Sequence, residues 1–270
     1  MREYYKKDEK EILVVSFGTS YNNSRDVTIG AIENAIRKSY PDYNICRAFT
    51  SQIIIDKLKK RDGIIIDNVK EAMDKAVSKG IKELIIQPTH LLNGLEYMEL
   101  ADDVKSYTER FERIVLAKPL LTDSEDFNKV IDIIAKIVAE YDINKTAVCF
   151  MGHGTEAEAN NVYIKLQNKI FASGYKNCYI GTVEAKPDIL DIVKEVKKGD
   201  YNKIILLPLM IVAGDHANND MAGDDEESWK KHFEKEGYEV ECILKGLGEN
   251  IHIQKIFIEH THDAIMSVID

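Results

Sequence analysis

Residues 206–220 read Leu206-Leu-Pro-Leu-Met-Ile-Val-Ala-Gly-Asp-His-Ala-Asn-Asn-Asp220, an apolar run that opens at a glycine into a dense polar cluster. The run from Lys203 to Met210 is short and apolar, which is typical of a buried strand. The cluster after Gly214 offers one imidazole, His216, among several carboxylates and amides. Because ligands of open α/β sheets bind at the carboxyl ends of strands, this stretch predicts an α/β fold with a site at its end.

The rest of the chain alternates between short apolar runs and longer segments whose apolar residues recur at helical spacing. Such alternation predicts a parallel sheet with helices on both faces. The predicted strands cover residues 11–17, 44–49, 83–87, 113–117, 146–151, 177–183, 203–210 and 239–244. The predicted helices include 25–39, 68–78, 156–172, 189–198 and a last helix from 253 to about 268.

The two halves of the chain repeat a short pattern. Each half opens with a strand that closes in a glycine–threonine pair, Gly18-Thr19 in one and Gly154-Thr155 in the other. Each later has a strand, a proline, a glycine six residues on and, two residues beyond it, Glu96 or His216. In this alignment Phe17 corresponds to His153. We therefore predict two Rossmann-like lobes with parallel sheets related by pseudo-symmetry; chance repetition of so short a pattern is the alternative.

The boundary between the predicted lobes lies where a new helix opens at Asp123. Residues 1–122 would form the N-terminal α/β lobe, and residues 123–270 the C-terminal α/β lobe that carries the site. The last helix is a candidate for packing back on the first lobe.

Composition excludes several classes of protein. With 44% hydrophobic residues the chain can bury a core, and a net charge of -10 argues against nucleic acid or an anionic membrane as partner. The four cysteines form no C-x-x-C pair, and no apolar run approaches the ~18 residues that span a bilayer. The polar N-terminus lacks the apolar segment of an export signal. We therefore expect a cytoplasmic protein.

The strongest candidate site is a metal site made of His153, Glu184 and His216. Each follows a predicted strand of the second half, so the three side chains should converge at one sheet edge. Two imidazoles and one carboxylate suit cobalt, iron, nickel or zinc, whereas magnesium and calcium prefer oxygen ligands. The alternatives are a structural turn histidine at 153 and an exposed loop histidine at 216.

Other polar residues are less specific. His90 could line the cleft or be a hydrogen-bonded loop residue, and the four C-terminal histidines, His232, His252, His260 and His262, are expected on the surface. The first half also has a basic and hydroxyl-rich strip that could equally be ordinary surface charge: Arg47, Thr50, Ser51, Lys57 and Arg61. The sequence has no G-x-G-x-x-G after its first strand, no Walker A, no H-E-x-x-H and no G-x-S-x-G.

Several segments together resemble the anaerobic-type sirohydrochlorin cobaltochelatases of cobalamin synthesis. They extend from about residue 12 to residue 250 and include Val-Val-Ser-Phe-Gly-Thr-Ser20, Phe150-Met-Gly-His-Gly154, Pro208-Leu-Met-Ile-Val-Ala-Gly-Asp-His216 and Gly246-Leu-Gly-Glu-Asn250. The resemblance implies a class II, ATP-independent chelatase with a tetrapyrrole cleft between two lobes. It also implies that His153 is both base and metal ligand, with Glu184 and His216 as the other ligands.

The implied reaction is insertion of Co²⁺ into sirohydrochlorin in anaerobic cobalamin biosynthesis, with no cofactor beyond the substrate metal. Substrate binding would involve seven residues of the first half, with its carboxylates held by backbone N–H groups near residues 16–19 and by Arg47: Ser16, Phe17, Gly18, Thr19, Arg47, His90 and Glu96. A homo-oligomer is compatible with the sequence. The alternatives are an iron or nickel chelatase, or a non-catalytic metal or tetrapyrrole carrier. The segment Thr155–Asn160 is more acidic than the resemblance leads us to expect.

Overall fold

The computed structural model describes residues 5–155 and 158–267, which form two compact units. Unit 1 contains the residues up to Thr122 together with those from Gly248 onward, and unit 2 contains Asp123–Leu247. The chain leaves unit 1 after Thr122 and returns to it at Gly248, before its last helix. Throughout the described part of the chain, no helix has both the length and the apolar character needed to cross a membrane.

Unit 1 is built on a parallel sheet with the strand order β3-β2-β1-β4-β5. The strands are β1 (Lys10–Ser16), β2 (Asn44–Phe49), β3 (Asp67–Asn68), β4 (Glu83–Pro88) and β5 (Arg113–Leu116). The helices are α1 (Asn22–Val27), α2 (Ile29–Ser39), α3 (Gln52–Asp62), α4 (Val69–Ser78), α5 (Leu95–Lys105) and, from the end of the chain, α10 (Ile251–Met266). The central strand β1 is buried on both faces, as the apolar run Ile12–Val15 at its centre predicts.

The last helix, α10, packs on the sheet of unit 1. The hydroxyl of Thr261 donates to Gln87 Oε1 at 2.8 Å, and the guanidinium of Arg113 donates to the carbonyl oxygen of Ala264 at 2.7 Å. His260 lies on the buried face of this helix, so its predicted surface position was wrong. The residues three and four positions before it, Phe257 and Ile256, are buried as well. Helical periodicity thus outweighed the charged neighbours that suggested exposure.

Unit 2 is built on a second parallel sheet with the order β7-β6-β8-β9. The strands are β6 (Thr146–Gly152), β7 (Cys178–Thr182), β8 (Lys203–Pro208) and β9 (Glu239–Cys242). The helices are α6 (Ser124–Val138), α7 (Asn161–Ala172), α8 (Ile189–Val196) and α9 (Trp229–Lys235), and a π-helical turn spans Ala217–Met221. The core on one face of this sheet includes Cys149, Leu206, Trp229 and Phe233.

The two sheets share a strand order and a pattern of backbone hydrogen bonds. Without the short β3, unit 1 has the order β2-β1-β4-β5, which corresponds to β7-β6-β8-β9 in unit 2. After the first two strands, Ser51 N–H donates to the Phe17 carbonyl at 3.3 Å, and Glu184 N–H donates to the His153 carbonyl at 2.9 Å. Phe17 therefore corresponds to His153, as the repeat predicted, and Ser51 corresponds to Glu184.

Two predicted helices differ from those in the structure. The helix predicted over 25–39 is interrupted at Thr28, whose backbone leaves the helical region with φ -112° and ψ -80° while its hydroxyl donates to the Ser24 carbonyl. The helix predicted over 156–172 begins as a 3₁₀ turn at Glu158–Asn160 and continues as α7. Its first two predicted residues, 156 and 157, lie outside the described residues.

Candidate metal centre

Three potential ligands lie at the carboxyl ends of three neighbouring strands of unit 2. His153 follows β6, Glu184 follows β7 and His216 follows β8. Because β6 lies between β7 and β8 in the sheet, the three side chains converge. One potential ligand atom from each residue lies within 4.8 Å of the other two. The structure therefore brings together the three residues that the sequence singled out.

Two glycines allow close packing on either side of His153. A Cβ at Gly152 would lie 2.3 Å from the ring of Tyr163, and a Cβ at Gly154 would lie 2.9 Å from the backbone nitrogen of Ala185. Gly154 also has φ +91°, a conformation that side-chain-bearing residues rarely adopt. The backbone around His153 is thus fixed by its neighbours, while its imidazole remains 39% exposed.

The imidazole of His153 has a defined orientation. Its Nδ1 lies 2.9 Å from the carbonyl oxygen of Gly154 and 3.5 Å from Glu184 Oε2. Because a carbonyl oxygen only accepts hydrogen bonds, the shorter contact favours the tautomer with its proton on Nδ1. The lone pair is then on Nε2, where it can bind a metal ion or accept a proton.

His216 immediately precedes the π-helical turn. Its Nδ1 lies 2.7 Å from Asp220 Oδ2, and its Nε2 lies 3.9 Å from Glu184 Oε1. A carboxylate accepts hydrogen bonds, so this contact also favours a proton on Nδ1 and a lone pair on Nε2. The arrangement is typical of metal-binding histidines, which usually donate their second ring N–H to a carboxylate or carbonyl.

The cluster could hold a divalent ion and leave some of its coordination positions open. The two imidazole rings lie edge to face, with centroids 4.8 Å apart and an interplanar angle of 88°. Ligand atoms at about 2.1 Å from an ion are at most about 4.2 Å apart, so small side-chain rotations would complete the site. Three protein ligands leave open coordination positions, and all three side chains are partly exposed. An ion bound here could therefore also bind a further ligand from solution and be transferred to it.

A sequence model of the family described as "Cobalt chelatase (CbiK)" matches residues 10–266, nearly the whole chain. The chain belongs to the CbiK cobalt chelatase family. It is 36% identical over 262 residues to a sirohydrochlorin cobaltochelatase of Salmonella typhimurium strain LT2, covering 97% of this chain and 98% of that protein. It is 29% identical over 271 residues to the sirohydrochlorin cobaltochelatase CbiKC of Nitratidesulfovibrio vulgaris strain Hildenborough, covering 97% and 93% of the two chains.

Solved structures of other chelatases share the fold of this CbiK family member. SirB from Bacillus subtilis, determined with Fe³⁺, matches with a TM-score of 0.66 and 13% identity over 96% of both chains. CbiX, described as the terminal enzyme of siroheme biosynthesis in denitrifying bacteria, matches with a TM-score of 0.54 and 15% identity over 96% of this chain and 100% of CbiX. At these identities the likeness concerns the fold alone.

The loop after β1 in this cobalt chelatase family member is mostly internal. The Ser16 hydroxyl accepts a hydrogen bond from Thr89 Oγ1 at 2.7 Å, and Thr19 Oγ1 accepts one from the backbone of Tyr21 at 3.2 Å. Gly18 has φ +101°, and a Cβ there would lie 2.5 Å from the ring of Phe49. Of the four predicted substrate-binding residues in this loop, only Phe17 has an exposed side chain, at 48%.

Arg47 is held in an internal ion pair. Its Nε and Nη2 donate to the two carboxylate oxygens of Glu33 at 2.6 and 2.7 Å. Glu33 is buried, so the pair compensates a charge that would otherwise be enclosed. This bidentate contact engages the guanidinium that was expected to hold substrate carboxylates.

His90 lies just after β4, and both of its ring nitrogens are enclosed without a hydrogen-bond partner among the described residues. Burial lowers the pKa of His90 from 6.5 to about 4, although the nearby carboxylate of Glu96 opposes the shift. His90 is therefore neutral at physiological pH, and the hydrogen-bonded loop residue predicted as its alternative is not what the structure contains. Glu96 itself is half-buried in the first turn of α5.

Three exposed apolar side chains lie in helices that follow strands of the unit 1 sheet, and the sequence analysis did not predict them as site residues. Ile53 is 81% exposed in the first turn of α3, just after β2. Leu95 and Met98 are exposed in the first turn of α5, which follows β4. Together with Phe17 after β1, they follow three neighbouring strands. The signal in the sequence was that an apolar residue stands in the first turn of each helix that follows one of these strands, where polar residues would be usual.

Proposed function

We propose that this protein inserts Co²⁺ into sirohydrochlorin and thereby serves anaerobic cobalamin biosynthesis. The observation that carries this proposal is the convergence of His153, Glu184 and His216 within 4.8 Å in a member of the cobalt chelatase family. The full-length relatives named sirohydrochlorin cobaltochelatase support the choice of macrocycle and metal. Nitrogen and carboxylate ligands suit Co²⁺, which is a substrate of the reaction and not a resident cofactor.

The ion binds first to the Nε2 atoms of His153 and His216 and to the carboxylate of Glu184. Each insertion releases two protons from the pyrrole nitrogens of the macrocycle. As the ion moves from the protein to these nitrogens, the lone pair of His153 becomes available and accepts one of the protons, while the other passes to solvent water. An imidazole suits this step because its ordinary pKa of about 6.5 lies near working pH.

Unit 1 contributes macrocycle-binding groups. The exposed side chains of Phe17, Ile53, Leu95 and Met98 offer apolar surface to the flat faces of a tetrapyrrole. The backbone N–H groups of residues 16–19 and the side chains of Arg47, His90 and Glu96 remain proposed substrate contacts. The internal ion pair of Arg47 and the burial of His90 make both weaker candidates than Phe17.

The decisive experiment is a cobalt-insertion assay that follows the absorbance of sirohydrochlorin over many equivalents of substrate. A chelatase turns over repeatedly, whereas a carrier stops after one equivalent. His153→Ala and His216→Ala should each abolish most of the activity, and His252→Ala, an exposed residue at the start of α10, should not. Near-normal rates in both site variants would refute the proposed site.

The same assay with Fe²⁺ and Ni²⁺ compares the alternative metals. Two imidazoles and a carboxylate accept all three ions, so the ligand set alone does not enforce cobalt. We expect Co²⁺ to give the highest kcat/KM. The cytoplasmic location and a homo-oligomeric state stay predictions.

A further inference from the structure

Asp220 is the closest polar partner of a proposed metal ligand. Its Oδ2 lies 2.7 Å from His216 Nδ1, well within hydrogen-bonding distance. The other side of the same ring points its Nε2 toward Glu184 Oε1 at 3.9 Å. The imidazole therefore lies between two carboxylates: Asp220 accepts its Nδ1–H, and Glu184 would bind the same metal ion.

The π-helical turn holds Asp220 in this position. Ala217 and Met221, one residue beyond His216 and Asp220 respectively, are completely buried in the core of unit 2. The side-chain amide of Asn218 donates to the carbonyl oxygen of Gly214 at 2.7 Å. Because the buried pair has the same four-residue spacing as His216 and Asp220, anchoring one pair fixes the other. π-helical turns are rare and are often found at functional sites.

The two histidines of the cluster differ in what orients them. His153 Nδ1 lies closest to a backbone carbonyl, that of Gly154 at 2.9 Å, and its carboxylate neighbour at 3.5 Å is the proposed ligand Glu184, whereas His216 Nδ1 lies 2.7 Å from a carboxylate that is not a proposed ligand. A carboxylate partner raises the basicity of a ligating imidazole and fixes its tautomer. His216 should therefore be the firmer ligand, and His153 the one that releases the ion and becomes free to take a proton.

We propose that Asp220 is a positioning residue for the chelatase reaction, which keeps the lone pair of His216 on Nε2 and makes this histidine the anchor of the metal ion. This inference rests on the proposed function, because it assigns Asp220 a role in binding the metal substrate. Asp220 acts through His216 and does not touch the reacting atoms.

The first test compares Asp220→Asn with the matched control Asp224→Asn. Both replace an exposed carboxylate by an amide of the same shape, but Asp224 pairs with Lys230 at 2.9 Å and not with a histidine. An amide beside His216 can offer either its oxygen or its NH₂ group to Nδ1, so it no longer selects one tautomer. We expect the KM for Co²⁺ to rise about 10- to 100-fold in Asp220→Asn with a much smaller change in kcat. The control should stay within about twofold of the unchanged protein.

The second test reads the tautomer directly, without metal and without turnover. Imidazole ¹⁵N NMR spectra at a pH where histidines are neutral should show the His216 proton on Nδ1 in the unchanged protein. The same spectra should show a shift toward Nε2–H in Asp220→Asn, with signals assigned by their loss in His216→Ala. A purely structural role for Asp220 would not move these signals.

The outcomes separate this inference from the proposed function. If the unchanged protein binds Co²⁺ through His216 but inserts none into sirohydrochlorin, the proposed function fails and direct Co²⁺ titration still tests Asp220. If insertion proceeds but Asp220→Asn and Asp224→Asn have equal Co²⁺ KM values, Asp220 does not position the ligand. A His216 proton on Nε2 in the unchanged protein would overturn the inference as well.

Discussion

Units 1 and 2 present the same backbone at their strand ends but different side chains. In both, the second residue after the second strand donates its N–H to the carbonyl of the residue after the first strand, Ser51 to Phe17 and Glu184 to His153. In both, a glycine with positive φ follows, Gly18 at +101° and Gly154 at +91°. At these positions unit 2 has two of the proposed metal ligands, His153 and Glu184, whereas unit 1 has Phe17 and Ser51. The same backbone arrangement therefore carries different functional side chains in the two units, and a few residues decide the chemistry.

The strand ends also differ in how they are closed. In unit 1 the end of β1 is closed by the 2.7 Å hydrogen bond between Ser16 and Thr89 and by the ring of Phe49 beneath Gly18. In unit 2 the end of β6 is closed by the ring of Tyr163 beside Gly152 and by Ala185 beside Gly154. One side chain stays accessible at each end, Phe17 at 48% in unit 1 and His153 at 39% in unit 2, so the exposed group is an apolar ring in one unit and an imidazole in the other.

The largest effect should come from giving unit 2 the residue of unit 1. In His153→Phe the metal loses a ligand and the macrocycle loses its base, so kcat for cobalt insertion should fall about 10²- to 10⁴-fold. The fold should persist because the side chain is partly exposed. Steady-state insertion rates measure the loss, and circular dichroism checks the fold. Activity within about tenfold of the unchanged protein would mean that the two strand ends do not differ in the proposed way.

His90, at the end of a unit 1 strand, should make stability depend on pH. The folded pKa of His90, about 4, lies below its ordinary value of 6.5, so the unfolded chain binds more protons between these values. Stability should therefore fall as pH drops from 6.5 toward 4, by on the order of 2.5 kcal/mol at pH 4.5 from this residue.

Urea unfolding at pH 7 and pH 4.5 measures this contribution. His90→Phe should lose less stability between the two pH values than the unchanged protein does, and the exposed His252→Phe should match the unchanged protein. Equal pH dependence in all three proteins would show that His90 is accessible to protons, and the contrast with the open histidines of unit 2 would disappear.

The third prediction uses the two corresponding glycines. Gly18→Ala and Gly154→Ala should each destabilise the protein by about 1–3 kcal/mol, because both have positive φ and a Cβ would meet a neighbour within 3 Å. Only Gly154→Ala should raise the KM for Co²⁺, because its Cβ would push against Ala185, next to Glu184. Thermal unfolding and cobalt insertion measure the two effects. Gly63→Ala, with φ +67° and no atom within 4 Å, is the control for backbone conformation alone.

The smallest effect should come from the apolar edge of unit 1. Ile53→Ser removes an exposed side chain that follows a strand end, and partial burial of such a side chain by a macrocycle is worth about 1 kcal/mol. The KM for sirohydrochlorin should therefore rise about threefold to tenfold, with the KM for Co²⁺ unchanged. Ile65→Ser is the control, since Ile65 is 76% exposed in unit 1 but precedes β3. Equal KM values in the two variants would leave the apolar edge without a role in binding.

The sequence predicts the fold and the metal ligands because both depend on strand ends. Short apolar runs mark β6 and β8, and each is followed along the chain by a histidine, so the sequence alone places His153 and His216 at one sheet edge. The correspondence of Phe17 with His153 was also visible as a repeat, and the backbone hydrogen bonds confirm it. Whether these side chains bind Co²⁺ stays a prediction.

The remaining features depend on contacts between residues far apart in the chain or on local choices of the backbone. Glu33 and Arg47 lie on different elements, and nothing in the sequence around Arg47 indicates its partner. The helix break at Thr28 depends on the hydrogen bond that its hydroxyl donates to the carbonyl oxygen of Ser24. Burial of His90 depends on how the loop after β4 packs, which periodicity does not predict.

The shared hydrogen bond after the first two strands has a consequence for protein design. It gives unit 1 the same backbone support, at Phe17 and Ser51, that holds two of the three proposed ligands in unit 2. Glu96 supplies the third corresponding position, two residues after a glycine as in His216. The proposed ligands of unit 2 could therefore be introduced at the corresponding positions of unit 1 by the substitutions Phe17→His, Ser51→Glu and Glu96→His. A chain altered in this way would have the same three ligand types at the strand ends of both units, and unit 1 could then be tested for a second ion-binding site.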